Sequence, residues 1–414
     1  MKYDSDKPVN PERRRILGAV TAGGLASTLG GFASNAWSNQ TVELPFANGT
    51  RELVSNFPQK SQMILLRTRP PLLETPWSVF DDGVFTPNSQ FFVRWHNSNI
   101  PTRIEGAKFR LAVRGQVNRE LSLSVKELMT TFERVDMAAV NQCSGNSRGL
   151  FDPRVAGGQW SNGAMGNALW SGVRLKDVLA RAGLKADAVQ VRFNGMETAV
   201  LPGTPDFMKS LSVDHALDGE VMLAYAMNGE ALPLLNGFPL RLIVPGWYST
   251  YWVKMLNDIQ VLNTADDNFW MAKAYLIPDT PGANVAVGQA GVKMVPINKM
   301  VPRSFFTNVS DTTTLKVGKP QTVRGIAFGG DTGVAEVLVS SDDGKTFSPA
   351  RLGTDHGKYS FRQWTATFTP SQAGKFVLKV KATNSNGLAQ PATATWNPGG
   401  FMRNVVESVT VTAA

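Results

Sequence analysis

One residue of the 414, Cys143, is a cysteine. It cannot close an internal disulfide, build a four-cysteine zinc or iron-sulfur site, or attach haem through a Cys-x-x-Cys-His motif. Its neighbourhood, Val140-Asn141-Gln142-Cys143-Ser144-Gly145-Asn146-Ser147-Arg148-Gly149, is polar and turn-forming. The thiol is therefore expected on a loop that follows the apolar run Met137 to Val140. Three roles are open to it: a small buried hydrophobe, a nucleophile, or a ligand for a soft metal. A nucleophile needs a base, and the three histidines, His96, His215 and His356, stand in no recognisable local signature. Metal ligation leads on the residues alone, with the other two roles left open.

The elements that must position this residue begin after an export signal. Residues 11 to 36 read as a basic head containing Arg13, Arg14 and Arg15, a Gly/Ala-rich apolar stretch from Gly18 to Ala33, and a small-residue segment ending near Ala36. The stretch is too short and too glycine-rich for a secure membrane anchor, and its glycines are poor helix formers. Arg13-Arg14-x-Ile16-Leu17 resembles the twin-arginine signal, whose route carries folded proteins. A periplasmic destination is expected, with no membrane span in the mature chain. Proteins exported folded are often those that enclose a cofactor before export. A lone cysteine is also unusual in a compartment where disulfides persist.

Length and composition predict a two-domain globular chain. Hydrophobic residues make up 43% and charged residues 18%, with 38 Gly and 24 Pro. The formal net charge is +9, but the basic residues are dispersed and not interleaved with aromatics, which argues against nucleic acid and for attraction of a small anion or an acidic protein.

The run Asn141 to Gly149 and the following Gly163-Ala164-Met165-Gly166-Asn167-Ala168-Leu169-Trp170-Ser171-Gly172-Val173-Arg174-Leu175 resemble the sulfite oxidase family. Four further blocks agree in order: Phe92-Val93-Arg94-Trp95-His96; Leu223 to Gly229 leading into Gly237 to Gly246; Trp252-Val253-Lys254; and Tyr275. The resemblance runs from about residue 60 to the C-terminus, and is greatest to the bacterial periplasmic sulfite dehydrogenases, which lack the haem module of the animal enzymes. It implies an α+β fold with a mixed cofactor-binding domain over residues 45–285. It also implies a molybdenum-molybdopterin cofactor, no haem in this chain, and oxidation of sulfite to sulfate with electrons passed singly to an external acceptor such as cytochrome c.

By that resemblance Cys143 is the thiolate ligand of molybdenum. Arg94 and Arg148 bind the sulfite oxyanion, for which guanidinium offers permanent charge and paired donors. His96 adds a pH-dependent donor, and Tyr275 hydrogen-bonds substrate and assists proton movement. Phe92, Val93, Arg94, Trp95 and His96 contact the pterin. Arg241 and Lys254 bind its phosphate with help from the backbone of Trp252 and Val253. Asn236 stands where animal enzymes have histidine, Glu197 where aspartate is usual, and Ser408 where a further pocket arginine is expected. The last departure predicts a less positive substrate pocket.

From about residue 290 the pattern changes to short alternating segments, Val323–Phe328, Val334–Ser340, Gln363–Phe368 and Phe376–Ala382. Between them lie the turn signals Asp342-Asp343-Gly344 and Asn384-Ser385-Asn386-Gly387. This reads as an immunoglobulin-like β-sandwich over residues 290–414, which in the family makes a homodimer. Two other readings stay open: a molybdenum-dependent reductase of sulfoxides, and a non-enzymatic exported binding protein.

Overall fold

Strand pairing dominates the computed structural model, which describes residues 40–414. The export signal expected over residues 1–36 lies outside the described residues. The longest α-helix among them, Leu175–Ala182, has eight residues, so the helical share of the expected α+β fold is small. No described helix is long and apolar enough to cross a membrane.

Three sheets build the part of the described chain that surrounds Cys143. An antiparallel meander runs in chain order through Thr41–Glu43, Thr50–Val54, Met63–Arg67, Leu72–Glu74 and Val93–Arg94. A second sheet is mixed: Leu256–Leu262 lies antiparallel to Gln190–Gly195 and parallel to Leu111–Gly115. The third pairs Val135–Gln142 with Met165–Arg174 over their length, and Met165–Arg174 with Met222–Met227. Gly172 is required there. A Cβ at that position would stand 2.0 Å from the carbonyl oxygen of Leu223 on the neighbouring strand.

The C-terminal strands fall close to their expected places, at Gln321–Phe328, Val334–Ser340, Arg362–Phe368 and Gly374–Asn384. They belong to two sheets that enclose one apolar core, including Val323, Val337, Trp364, Leu378, Val380 and Val411. The expected turns form, with Asp343 at φ 62° and Gly344 at 84°. Ser408 lies on Glu407–Ala413 opposite Lys379 and is exposed.

These sheets do not stand apart from the cysteine. Ile326, Phe328, Tyr359, Phe361 and Met402 join the same core as Val140, Cys143 and Trp170. The amide of Val140 donates to the carbonyl of Tyr359 at 2.8 Å, and the amide of Met402 to that of Ser144 at 3.0 Å. Arg303, 1% exposed, donates to Ser147 Oγ at 3.0 Å and to Glu407 at 2.6 Å. Arg303→Met strips a buried hydrogen-bonded charge from this junction and leaves Ser147 without its donor. Equilibrium urea unfolding is expected to show a loss of about 3 kcal/mol; a loss below about 1 kcal/mol would mean the junction is not structural.

Candidate active site

Strand Val135–Gln142 delivers Cys143 into a loop locked by its own amide side chain. The amide of Cys143 donates to Ala164 O at 2.9 Å, that of Asn146 to Cys143 O at 2.9 Å, and that of Ala164 to Asn146 Oδ1 at 3.0 Å. Ser147 then takes a left-handed conformation, φ 67°, and its amide donates to Ser161 O. Glu74 ties the facing loop by accepting from the amides of Ser161 and Gly163 and from the Ser161 hydroxyl. Burial holds its carboxyl above the usual range against those hydrogen bonds.

Cys143 sits where two cavities meet. The inner one is lined by Phe91, Phe92, Arg94, His96, Asn141, Cys143, Asn236, Thr250, Arg241, Lys254 and Tyr275. The outer one is a funnel of about 730 Å³ that shares Arg94, Cys143, Ser144 and Tyr275 with it and adds Arg51, Arg67, Arg148, Trp270 and Phe401.

Strand alternation divides the expected residues. Phe92, Arg94 and His96 face the inner cavity. Val93 and Trp95 turn into a separate apolar cluster with Met63, Leu73 and Met255. Trp95 there donates to Leu235 O and carries the ammonium of Lys254 4.3 Å above its ring. Trp252 lies beside Arg241, whose Nη2 donates to its carbonyl at 3.4 Å, and the Val253 carbonyl accepts from the amide of Leu242. The Glu197 carboxylate accepts from the amides of His96 and Asn97, at 3.1 and 2.8 Å. It fixes the turn that presents His96 and does not line either cavity.

His96 and Tyr275 share a 2.6 Å hydrogen bond between Nε2 and the phenol oxygen. The imidazole is stacked on Phe207 at 3.5 Å between centroids. Burial, with Arg94, Lys254 and Lys209 nearby, holds its pKa well below the ordinary value, so it is neutral at physiological pH. Tyr275 is stacked on Phe401, and burial raises its phenol above 10. Arg148 fits a slot floored by glycines: a Cβ at Gly145, Gly157 or Gly400 would come within 2.9 Å of its guanidinium. Its Nη2 donates to Gly399 O at 3.1 Å, and its Nε has no protein partner.

Ser408 takes no part. It is exposed on the sandwich, and the segment that reaches the funnel is Pro398 to Phe401. Strand pairing of Glu407–Ala413 carries the chain away from the site before Ser408 is reached. Arg51 and Arg67 of the N-terminal meander join Arg94 and Arg148 in lining the funnel.

The donor set fits an anionic group bearing its own metal ligands. Arg94 Nη1, His96 Nδ1, Asn141 Nδ2, Ser144 Oγ, Arg241 Nε and Thr250 Oγ1 are buried without protein partners around the thiol. Burial lowers Arg241 to about 9 and Lys254 to about 8, the signature of cations awaiting a counter-charge. Among the described residues no cluster of three or more His, Cys, Asp or Glu side chains could hold a metal ion.

Residues 97–270 match the family model of the oxidoreductase molybdopterin binding domain, and residues 294–414 that of the Mo-co oxidoreductase dimerisation domain. Rat mitochondrial sulfite oxidase is 30% identical over 377 residues, which cover 86% of this chain and 67% of the rat protein. Chicken sulfite oxidase is 30% identical over 379 residues, 87% of this chain and 80% of the relative. The chain belongs to the sulfite oxidase family. It is a molybdenum oxidoreductase, and its cofactor is a molybdenum-pterin. It spans about two thirds of the length of the rat relative. The sulfane dehydrogenase SoxCD of Paracoccus pantotrophus shares the fold, with TM-score 0.70 over 92% of each chain at 22% identity.

Sequence reasoning missed two buried lysines. Lys60 donates to Asn88 O, Phe91 O and Asn236 Oδ1, and so orients Asn236 at the cavity wall. Lys209 donates to Trp270 O at 2.7 Å and lies 4.6 and 5.7 Å from the ring centroids of Tyr251 and Tyr275. Burial lowers both to about 7. Because Lys60, Lys209 and Lys254 bind protons more weakly folded than unfolded, the unfolded chain holds more protons between about pH 7 and 10. Stability of cofactor-free protein is therefore expected to rise from pH 7 to 9. Lys254→Met is expected to raise the melting temperature of cofactor-free protein at pH 7 while lowering the molybdenum retained after purification. A fall in both quantities would contradict the reading of Lys254 as a cation held for a ligand.

Proposed function

We propose that this protein oxidises sulfite to sulfate, with Cys143 as the thiolate ligand of the molybdenum. The observation that carries the reading is the position of Cys143 at the floor of a funnel lined by arginines, opposite an inner cavity rich in unpaired donors. Arg241 and Lys254 would hold the pterin phosphate, with Asn236 and the backbone at Trp252 and Val253 beside it. Sulfite and water give sulfate, two protons and two electrons; when bound, the cofactor supplies the two-electron redox change.

The chain's own residues supply attraction, orientation and proton handling. Arg94 and Arg148 draw a small dianion towards the thiol, and the Arg148 guanidinium is kept in one orientation by its glycine slot and the Gly399 carbonyl. Neutral His96 leaves the phenol of Tyr275 protonated and aimed, so Tyr275 can donate to an oxygen near Cys143 and recover its proton through His96. Phe207, Phe401 and Trp270 screen this pair from bulk water.

The rest of the reading is that of an exported enzyme. The twin-arginine motif supports periplasmic delivery in folded form, a soluble cytochrome c is the proposed electron acceptor, and the C-terminal sandwich, which we read as immunoglobulin-like, supports a homodimer. The mass of the full chain by light scattering is expected to be that of two copies, and a monomer at micromolar concentration would remove the dimer from the proposal.

Purified, cofactor-loaded protein should contain about one molybdenum per chain and reduce ferricyanide or cytochrome c on addition of sulfite. Molybdenum without sulfite turnover, but with reduction of sulfoxides, would replace the reaction proposed. Arg148→Met is expected to raise the sulfite KM about tenfold or more through loss of a charged anion contact. An unchanged KM would remove Arg148 from substrate binding.

A further inference from the structure

The pairing of Met63–Arg67 with Leu72–Glu74 is interrupted by a bulge between Leu65 and Arg67. Leu65 lies opposite Leu73, and Arg67 lies opposite Leu72, so Leu66 is the extra residue. Under plain alternation Leu66 would face Leu72 and Arg67 would point to the opposite side of the sheet. The bulge instead sets Arg67 beside Leu72, and Leu72 is paired on its other side with Arg94. One cross-strand row thus reads Arg67, Leu72, Arg94, and all three line the funnel.

Arg51, on the adjoining strand, lines the same funnel farther from Cys143's inner cavity. Its Nη1 donates to the carbonyls of Asn48 and Thr50, which leaves the rest of the guanidinium available. Arg67 donates only Nε, to Pro70 O at 3.3 Å. Some arginines among the described residues are paired with carboxylates, as Arg114 is with Asp258 and Arg303 with Glu407, while others, Arg241 among them, are not. Arg51, Arg67, Arg94 and Arg148 make no such pair among the described residues. The carboxyl group near Arg51 is that of Glu74, which is fully buried and turned towards Ser161 and Gly163. Partial burial, and after it the charge of Arg94, lower the pKa of Arg67 from its ordinary value. Mutual repulsion without internal neutralisation is relieved by an anion shared between them or bound beside them.

We propose that Arg67 and Arg51 form an outer oxyanion-binding station at the mouth of the funnel, separate from the Arg94 and Arg148 pair beside Cys143, which takes a small tetrahedral dianion of the sulfate class. Leu66, Leu72, Trp270 and Phe401 line the path between the two positions, together with the polar side chains of Ser144, Gln159 and Tyr275. An anion at the outer position lowers the repulsion met by the next one entering, and gives a product leaving the inner position a place to go. The choice of sulfate rests on the proposed sulfite reaction; the existence of a second anion position does not.

The test is isothermal titration of cofactor-loaded full-length protein with sodium sulfate at low ionic strength. Two sulfates are expected to bind per chain. Arg51→Met with Arg67→Met should weaken one event about tenfold or more and leave the other within about twofold, and Arg148→Met should do the reverse. Arg67 is exposed and Arg51 partly exposed, so both variants should fold, which thermal melts check. A single sulfate in the wild-type protein, or two that ignore the Arg51 and Arg67 changes, would overturn the proposal. Slower sulfite capture in the double variant with only one wild-type sulfate event would mean charge steering alone, and would overturn it as well. Absence of sulfite turnover would leave the sulfate isotherm intact and count only against the proposed reaction.

Discussion

Positive charge buried around a cavity with no carboxylate in direct contact is the constraint around which this molecule is arranged. Arg241 and Lys254 face the inner space with no carboxylate in direct contact, and Lys60 sits behind Asn236 with carbonyl and amide oxygens as its partners. Such groups are costly to bury. The fold can hold them only because the surrounding apolar core is large, with Trp95, Trp160, Trp170, Trp252 and Tyr251 fully enclosed, and because the native ligand is an anion. Several sheets are needed to bring these cations together, since they come from segments as far apart as residues 60 and 254.

The same constraint explains the treatment of the acids. Glu197 and Glu74 are both buried near the site, and both are turned outward from it onto backbone amides. Glu197 fixes the turn bearing His96, and Glu74 fixes the loop facing Cys143. Both carboxylates bond to backbone amides and not to the cavity's cations, so Glu197 offsets the charge of Lys254 only in part while the loops gain rigid anchors.

The sequence made the chemistry near Cys143 legible because it lies in contiguous blocks. Arg94 ends a strand and His96 lies two residues on in the turn that follows, and Arg148 shares a loop with the thiol, so the blocks that carried the family resemblance also carried their proximity. The sandwich strands were legible because Asp342-Asp343-Gly344 and Asn384 to Gly387 mark their turns. What stayed hidden depends on pairing between distant segments. Lys60 and Lys209 look like ordinary surface lysines until their strands and turns close over them. The position of Arg67 depends on a bulge in strand pairing, which has no mark in the sequence here. Ser408 was expected in the pocket from the family resemblance, whereas it lies exposed on a strand of the sandwich, paired with Lys379. The mixed sheet, with Leu256–Leu262 parallel to Leu111–Gly115, likewise joins strands too remote for any local pattern to pair.

The short segment Pro398 to Met402 bears on the order of events during synthesis. Gly399 O receives the guanidinium of Arg148 from 251 residues earlier, and the Met402 amide closes onto Ser144. A ribosome therefore releases every cavity-lining residue up to Tyr275 well before it releases the loop that finishes the funnel. The funnel is therefore complete only when the last segment before the final strand is in place, although the thiol it leads to was laid down in the first half of the chain.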